Sequence, residues 1–117
     1  MKYLFLLNVW EDGRLEPGTD DWDEGVAAYG AAMGAMAEAG ALVDTAPLQP
    51  ADAATTLRIR DGETLLTDGP SAEIKEVLGG YALVECADLD EALKWAATIP
   101  AAEHGSVEVR PVIEVPS

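Results

Sequence analysis

Tyr3-Leu4-Phe5-Leu6-Leu7-Asn8-Val9 is apolar at almost every position, odd and even alike. Successive side chains of a strand point to opposite faces, so such a run needs cover on both. It reads as a central strand with helices on one side and a second surface on the other. The run has no basic leader and no small-residue cleavage site, and acids follow at once in Glu11 and Asp12. A buried strand therefore outranks a secretory signal core. No apolar run approaches the roughly 20 residues that span a bilayer. A cytoplasmic location without membrane contact is expected.

Working outward, an acidic loop with Gly13 and Pro17-Gly18 leads to Asp21, which with Glu24 has the spacing of a capping box. The helix it opens carries Val26, Tyr29, Met33 and Met36 or Ala37 at helical spacing and closes near Ala39-Gly40. Ala41-Leu42-Val43 starts a second strand that stops by Pro47. From Thr55 to Arg60 the chain alternates, with Leu57 and Ile59 on one face and Thr56, Arg58 and Arg60 on the other. Asp61-Gly62 is a two-residue turn signal that returns the chain through Glu63 to Thr67. Asp68-Gly69-Pro70 then breaks the strand. Glu73 to Leu78 fits a helical turn, and Tyr81 to Cys86 a third core strand. Asp88 and Glu91 cap a second helix with Leu89, Ala92, Leu93, Ala96 and Ala97 as its buried stripe, ended by Pro100. The last strand spans Val107 to Val115, and Pro111 places it at an edge.

The order is β-α-β, a hairpin, then β-α-β. This predicts one α+β domain over residues 1–117, a ferredoxin-like split βαβ arrangement with an inserted β-hairpin. Both helices then share one face of the sheet. The other face needs a partner, and a homodimer packed sheet to sheet is expected.

The 117 residues include 22 acids and 7 bases, a formal charge of −15, with 49% apolar residues. That apolar fraction belongs to a packed domain rather than a disordered acidic tail. A surface so acidic argues against nucleic acid and anionic membranes, which need a basic face. The single Cys86 excludes an intramolecular disulfide, and with His104 as the single histidine it forms no transition-metal cluster. Asp20-Asp21-Trp22-Asp23-Glu24-Gly25 lacks the alternation of a calcium loop. No metal and no cofactor are expected.

Several stretches together resemble one family. They are Ala54 to Gly62, Thr67-Asp68-Gly69-Pro70 with Glu73 and Lys75-Glu76, Leu78-Gly79-Gly80-Tyr81, the Asp88 to Ala92 helix start, and Val107 to Pro111. The pattern is similar to YCII-related proteins of the DGPF type and covers essentially the whole chain. The resemblance implies a dimeric α+β barrel, with no generally established activity. It also implies a regulatory or metabolic setting, since many members lie beside extracytoplasmic-function sigma factors. Ser71 stands where the motif carries an aromatic, which suggests a more open or more polar cleft. In the smaller YCII branch a His–Asp pair is used; Tyr29 and Glu38 fall at those places here. With an ordinary pKa near 10, tyrosine is a poor general base, so the dyad chemistry does not carry over.

The Asp68-Gly69-Pro70-Ser71 loop is the leading site candidate. Glycine permits close approach, proline stiffens the turn, and Asp68 offers a carboxylate. Arg58, Arg60 and Arg110 stand out because bases are scarce, and a guanidinium pairs bidentately with a carboxylate or phosphate. The expected site binds a small polar or anionic molecule between the first helix and this loop. Asp68 or Glu38 would move a proton, Tyr29 would donate a hydrogen bond, and Arg58, Gly69, Pro70 and Ser71 would hold the ligand. The alternative is a non-enzymatic regulatory protein acting with a sigma factor. His104 reads as a loop histidine and Cys86 as a small buried hydrophobe. Trp10, Trp22 and Trp95 read as core packing before pocket lining.

Overall fold

Strand β1 (Lys2–Trp10) buries Tyr3, Phe5 and Leu7 on one face, while Leu4 and Leu6 are half-covered on the other. The computed structural model describes residues 1–10, 18–70 and 76–115. After β1 come α1 (Asp20–Glu38), β2 (Leu42–Pro47), β3 (Thr55–Arg60), β4 (Glu63–Asp68), β5 (Glu76–Glu85), α2 (Leu89–Ala96), the single turn α3 (Ala101–His104) and β6 (Gly105–Pro111). Four strands form one sheet in the order β2-β5-β1-β6, antiparallel throughout. Each βαβ unit is split by a strand of the other, the ferredoxin-like topology expected from the element order. Strands β3 and β4 form a separate two-stranded sheet.

The core lies between sheet and helices. Phe5 sits opposite Ala82 on β5 and Val109 on β6, and is fully buried with Val84, Met36 and Ile99. The buried helical residues are mostly small, namely Ala32, Ala92, Ala96 and Ala101. Small side chains let helix and sheet approach closely, with Phe5, Tyr3 and Met36 filling the space between. The opposite face of the sheet presents Leu4 beside Leu83 and Leu6 beside Tyr81. No described helix is long and apolar enough to cross a membrane.

Several local expectations change. Helix α1 is capped by Thr19, not Asp21; the extended Thr19 accepts the Trp22 amide at 3.2 Å. Asp20, Asp21 and Asp23 thus occupy the first turn, where carboxylates complement the helix dipole. Its core contacts are Ala32 and Met36 with Tyr29 and Met33 half-buried, while Val26 is exposed. On α2 the capping box forms: Asp88 accepts the Glu91 amide at 2.9 Å and Glu91 accepts the Ala87 amide at 2.6 Å. The stripe, however, is narrower than expected. Ala92 and Ala96 meet the sheet, while Leu89, Leu93 and Ala97 are exposed on its flank.

Strand β5 begins at Glu76 rather than Tyr81. Glu76, Val77 and Leu78 pair with Trp10, Val9 and Asn8, so they are strand and not a helical turn. Glu73 and Lys75 lie outside the described residues. Strand β6 stops at Pro111 on the sheet's edge, and beyond it Ile113 and Val115 are exposed. Gly105, which opens β6, is required sterically: a Cβ there would lie 2.1 Å from the Asn8 carbonyl oxygen.

Candidate functional site

The strand register gathers several chain segments at one end of the sheet. Trp10 pairs with Glu76, Val9 with Gly105, and Pro47 with Gly80. The carboxyl ends of β1 and β2 and the amino ends of β5 and β6 therefore meet there. By connectivity α1 begins at this end, α3 leads into it, and the β3–β4 hairpin rises from it. The opposite end holds Lys2, Glu85, Ala41 and the last turn of α1.

The hairpin turn is the expected two-residue Asp61-Gly62, with φ of 51° and 79°. Two positive φ values give a type I′ turn, which matches strand twist. At the other end of the hairpin, Asp68 is exposed opposite Thr55. Gly69 follows at φ 99°, a conformation that disfavours a side chain. Its amide donates to the Ala54 carbonyl at 2.7 Å, and its carbonyl accepts the Thr56 hydroxyl at 2.8 Å. The Asp68-Gly69-Pro70 loop is thus clamped to β3. Pro70 is exposed, and Ser71 lies outside the described residues.

Arg58 is half-buried although Leu57 and Ile59, its neighbours along β3, are exposed. The hairpin therefore places Thr56 and Arg58 on one face, with Leu65 opposite Arg58, and Leu57, Ile59 and Leu66 on the other. Arg60 is exposed and donates to its own neighbour, the Ile59 carbonyl, at 3.0 Å. Arg110 pairs with Glu108 at 2.6 Å on the open sheet face, toward the far end.

Tyr29 lies midway along α1, half-buried, with its phenol close to the backbone of Ala101 in α3. Burial raises its pKa above the ordinary 10.0 and the Ala101 backbone hydrogen bond opposes that only in part. At neutral pH it is an uncharged phenol, suited to hydrogen bonding rather than to taking a proton. Glu38 is exposed in the last turn of α1, about 13 Å along the helix from Tyr29 at about 1.5 Å per residue. It thus lies at the opposite end of the sheet from Asp68. The structure brings Arg58 and the Asp68–Pro70 loop onto one hairpin, with α1 starting at the same sheet end, and it separates Glu38 from them.

Trp10 and Trp22 are exposed at this end, not packed in the core, whereas Trp95 packs against the core. His104 is exposed at the end of α3. Cys86 is buried, and burial together with the Glu91 carboxylate raises its thiol pKa, which disfavours a thiolate. A polar pair with no sequence signal sits on the open sheet face. The Tyr81 hydroxyl donates to Asp44 at 3.0 Å while the Thr45 hydroxyl donates to the Tyr81 carbonyl at 2.8 Å. The Asp44 carboxylate raises the Tyr81 pKa. Residues 44 and 81 meet only through strand pairing, which local sequence does not reveal. Among the described residues no three His, Cys, Asp or Glu side chains converge as a metal site.

A family model, the YCII-related domain, matches residues 1–116. An uncharacterized protein of Rhizobium meliloti (strain 1021) is 52% identical over 77 residues, which cover 64% of this chain and 62% of that protein. The matched stretch spans less than two thirds of that relative's length.

Proposed function

The chain belongs to the YCII-related family, and we propose that it binds a small polar or anionic molecule where α1 begins and the Asp68–Pro70 loop turns. The observation that carries this reading is the placement of Arg58. In a chain with 7 bases and 22 acids, Arg58 is half-buried on the strand to which the loop is tied by two hydrogen bonds. A guanidinium so placed suits a carboxylate or phosphate group, which it can engage with two parallel hydrogen bonds. Tyr29 contributes a neutral hydroxyl. Where turnover follows binding, Asp68 is better placed for proton transfer than Glu38, which sits at the far end.

The working unit in this reading is a cytoplasmic homodimer joined through the open sheet face. Leu4, Leu6, Tyr81 and Leu83 are only half-covered there. By register that face also carries Lys2 and Arg110 against Asp44, Glu76, Glu85 and Glu108, so it bears little of the chain's charge. A regulatory role beside a sigma factor is the second reading. The exposed Trp22 and Val26 on α1 and Leu89 and Leu93 on α2 favour a protein partner on the helical layer.

The test is a thermal-shift screen of the wild type and Arg58→Ala against small carboxylates and phosphates. A ligand at 100 times its Kd stabilises the native state by about 2.7 kcal/mol. The expected result is a shift that Arg58→Ala abolishes and Arg58→Lys partly keeps. Equal shifts in the wild type and Arg58→Ala would remove Arg58 from the site and defeat the reading.

A further inference from the structure

The β3–β4 hairpin is inside out for an isolated subunit. Strand pairing places Leu57 opposite Leu66 and Ile59 opposite Thr64, so Leu57, Ile59 and Leu66 form one apolar face. Those three are 57%, 61% and 67% exposed, while Thr56 and Arg58 on the other face are half-buried. A two-stranded hairpin alone is marginal in water and needs a packing surface for its apolar side. No other described element packs substantially on it. The molecule is correspondingly spread, with a radius of gyration of 16.1 Å, against roughly 13 Å for a compact chain of this length. Its extents are 47 × 46 × 19 Å, a thin plate rather than a ball.

We infer that the hairpin is an arm that lies on a second copy of this chain, packing Leu57, Ile59 and Leu66 against it. The inference rests on the homodimer reading and deepens it, because the arm's heel is the Asp68–Pro70 loop. Charge selects the occupant. The open sheet face and the hairpin together carry four of the seven bases and seven of the 22 acids. The helices α1, α2 and α3 carry eight acids against one lysine. Two copies that met through their helical layers would repel strongly, whereas contact through sheet face and arm keeps those layers apart. Arg60 is available to the contact: it forms no ion pair among the described residues, although Glu63 lies directly across from it. An acidic second copy offers it carboxylates in abundance.

The arm also reaches the candidate site. Gly69 is tied to Ala54 and Thr56 at the base of β3. The loop and Arg58 therefore move with the arm, and a partner that holds the arm holds both.

The experiment compares three proteins by sedimentation equilibrium and by amide hydrogen exchange: the wild type, Leu57→Ser/Leu66→Ser on the arm, and Leu6→Arg on the open sheet face. The expected outcome is a wild-type dimer whose dissociation constant rises at least about 100-fold in the arm variant, two lost leucine contacts at about tenfold per 1.4 kcal/mol. Amides from Thr56 to Thr67 are expected to be protected in the wild-type dimer. They should lose that protection in Leu6→Arg, although that substitution lies off the arm. Dilution of the wild type below its dissociation constant gives the same comparison without any substitution. If Leu6→Arg dissociates the dimer while the arm variant dimerises normally, or if arm protection is equal in dimer and monomer, the arm inference is overturned and the homodimer stands. A wild type that is monomeric at every concentration overturns both.

Discussion

Strands β1 and β3 obey the same alternation and end in opposite environments. Tyr3, Phe5 and Leu7 are almost completely buried, whereas Leu57 and Ile59 are mostly exposed. Period-two patterning decides which residues share a face, because the pleat sends neighbours to opposite sides. Whether that face is covered depends on what the rest of the molecule, or another molecule, lays over it. Strand β1 has both neighbours in the sheet and helices above it. The hairpin has only itself.

The sharpest way to break this contrast is by truncation on each strand in a monomeric background such as Leu6→Arg. Phe5→Ala removes a fully buried ring and is expected to cost about 3–5 kcal/mol in urea unfolding. Leu57→Ala on the uncovered hairpin should cost under about 0.5 kcal/mol, as exposed positions do. Comparable costs would mean that the hairpin is covered within its own chain.

Glycines extend the comparison to the backbone. Gly105→Ala drives a Cβ into the Asn8 carbonyl between two paired strands, and a loss of about 1–3 kcal/mol is expected. Gly34→Ala in α1 meets nothing within 4 Å and should stabilise by about 0.4–1 kcal/mol through helix propensity and a less flexible unfolded chain. Thermal unfolding of the two variants reads the opposite signs directly. Next in size, Asp88→Ala removes the cap of α2 and is expected to cost about 1 kcal/mol in the same assay.

The smallest effect is a pH dependence of the sheet body that the hairpin does not share. Buried Cys86 has a raised pKa, so the native state prefers the neutral thiol. Its contribution is complete below the ordinary value of 9.0 and is lost as pH rises through the native value. Cys86→Ala should flatten the fall in stability as pH rises above 9.0. An unchanged slope would assign that fall to other groups.

Much of the fold was legible because its signals are local. The Asp61-Gly62 turn, the Asp88–Glu91 cap and the apolar run of β1 each act within a few residues. The misreadings share a cause. Val26, Leu89 and Leu93 have helical spacing and are exposed, since alanines make the sheet contact. Glu76 to Leu78 lack a strand pattern and become strand by pairing with β1. For the site, the sequence singled out the Asp68–Pro70 loop and Arg58. It did not tell that Glu38 would stand at the other end of the sheet, nor that Tyr81 would meet Asp44.

By itself the sequence determined the element order, the turn chemistry and which side chains share a face, all consequences of backbone geometry within one segment. Only the tertiary structure decided which faces are covered, that Arg58 is half-buried while Leu57 and Ile59 are exposed, and which carboxylate accompanies the loop. Those outcomes depend on the register between strands far apart in the chain, where burial and pairing energies outweigh local preference.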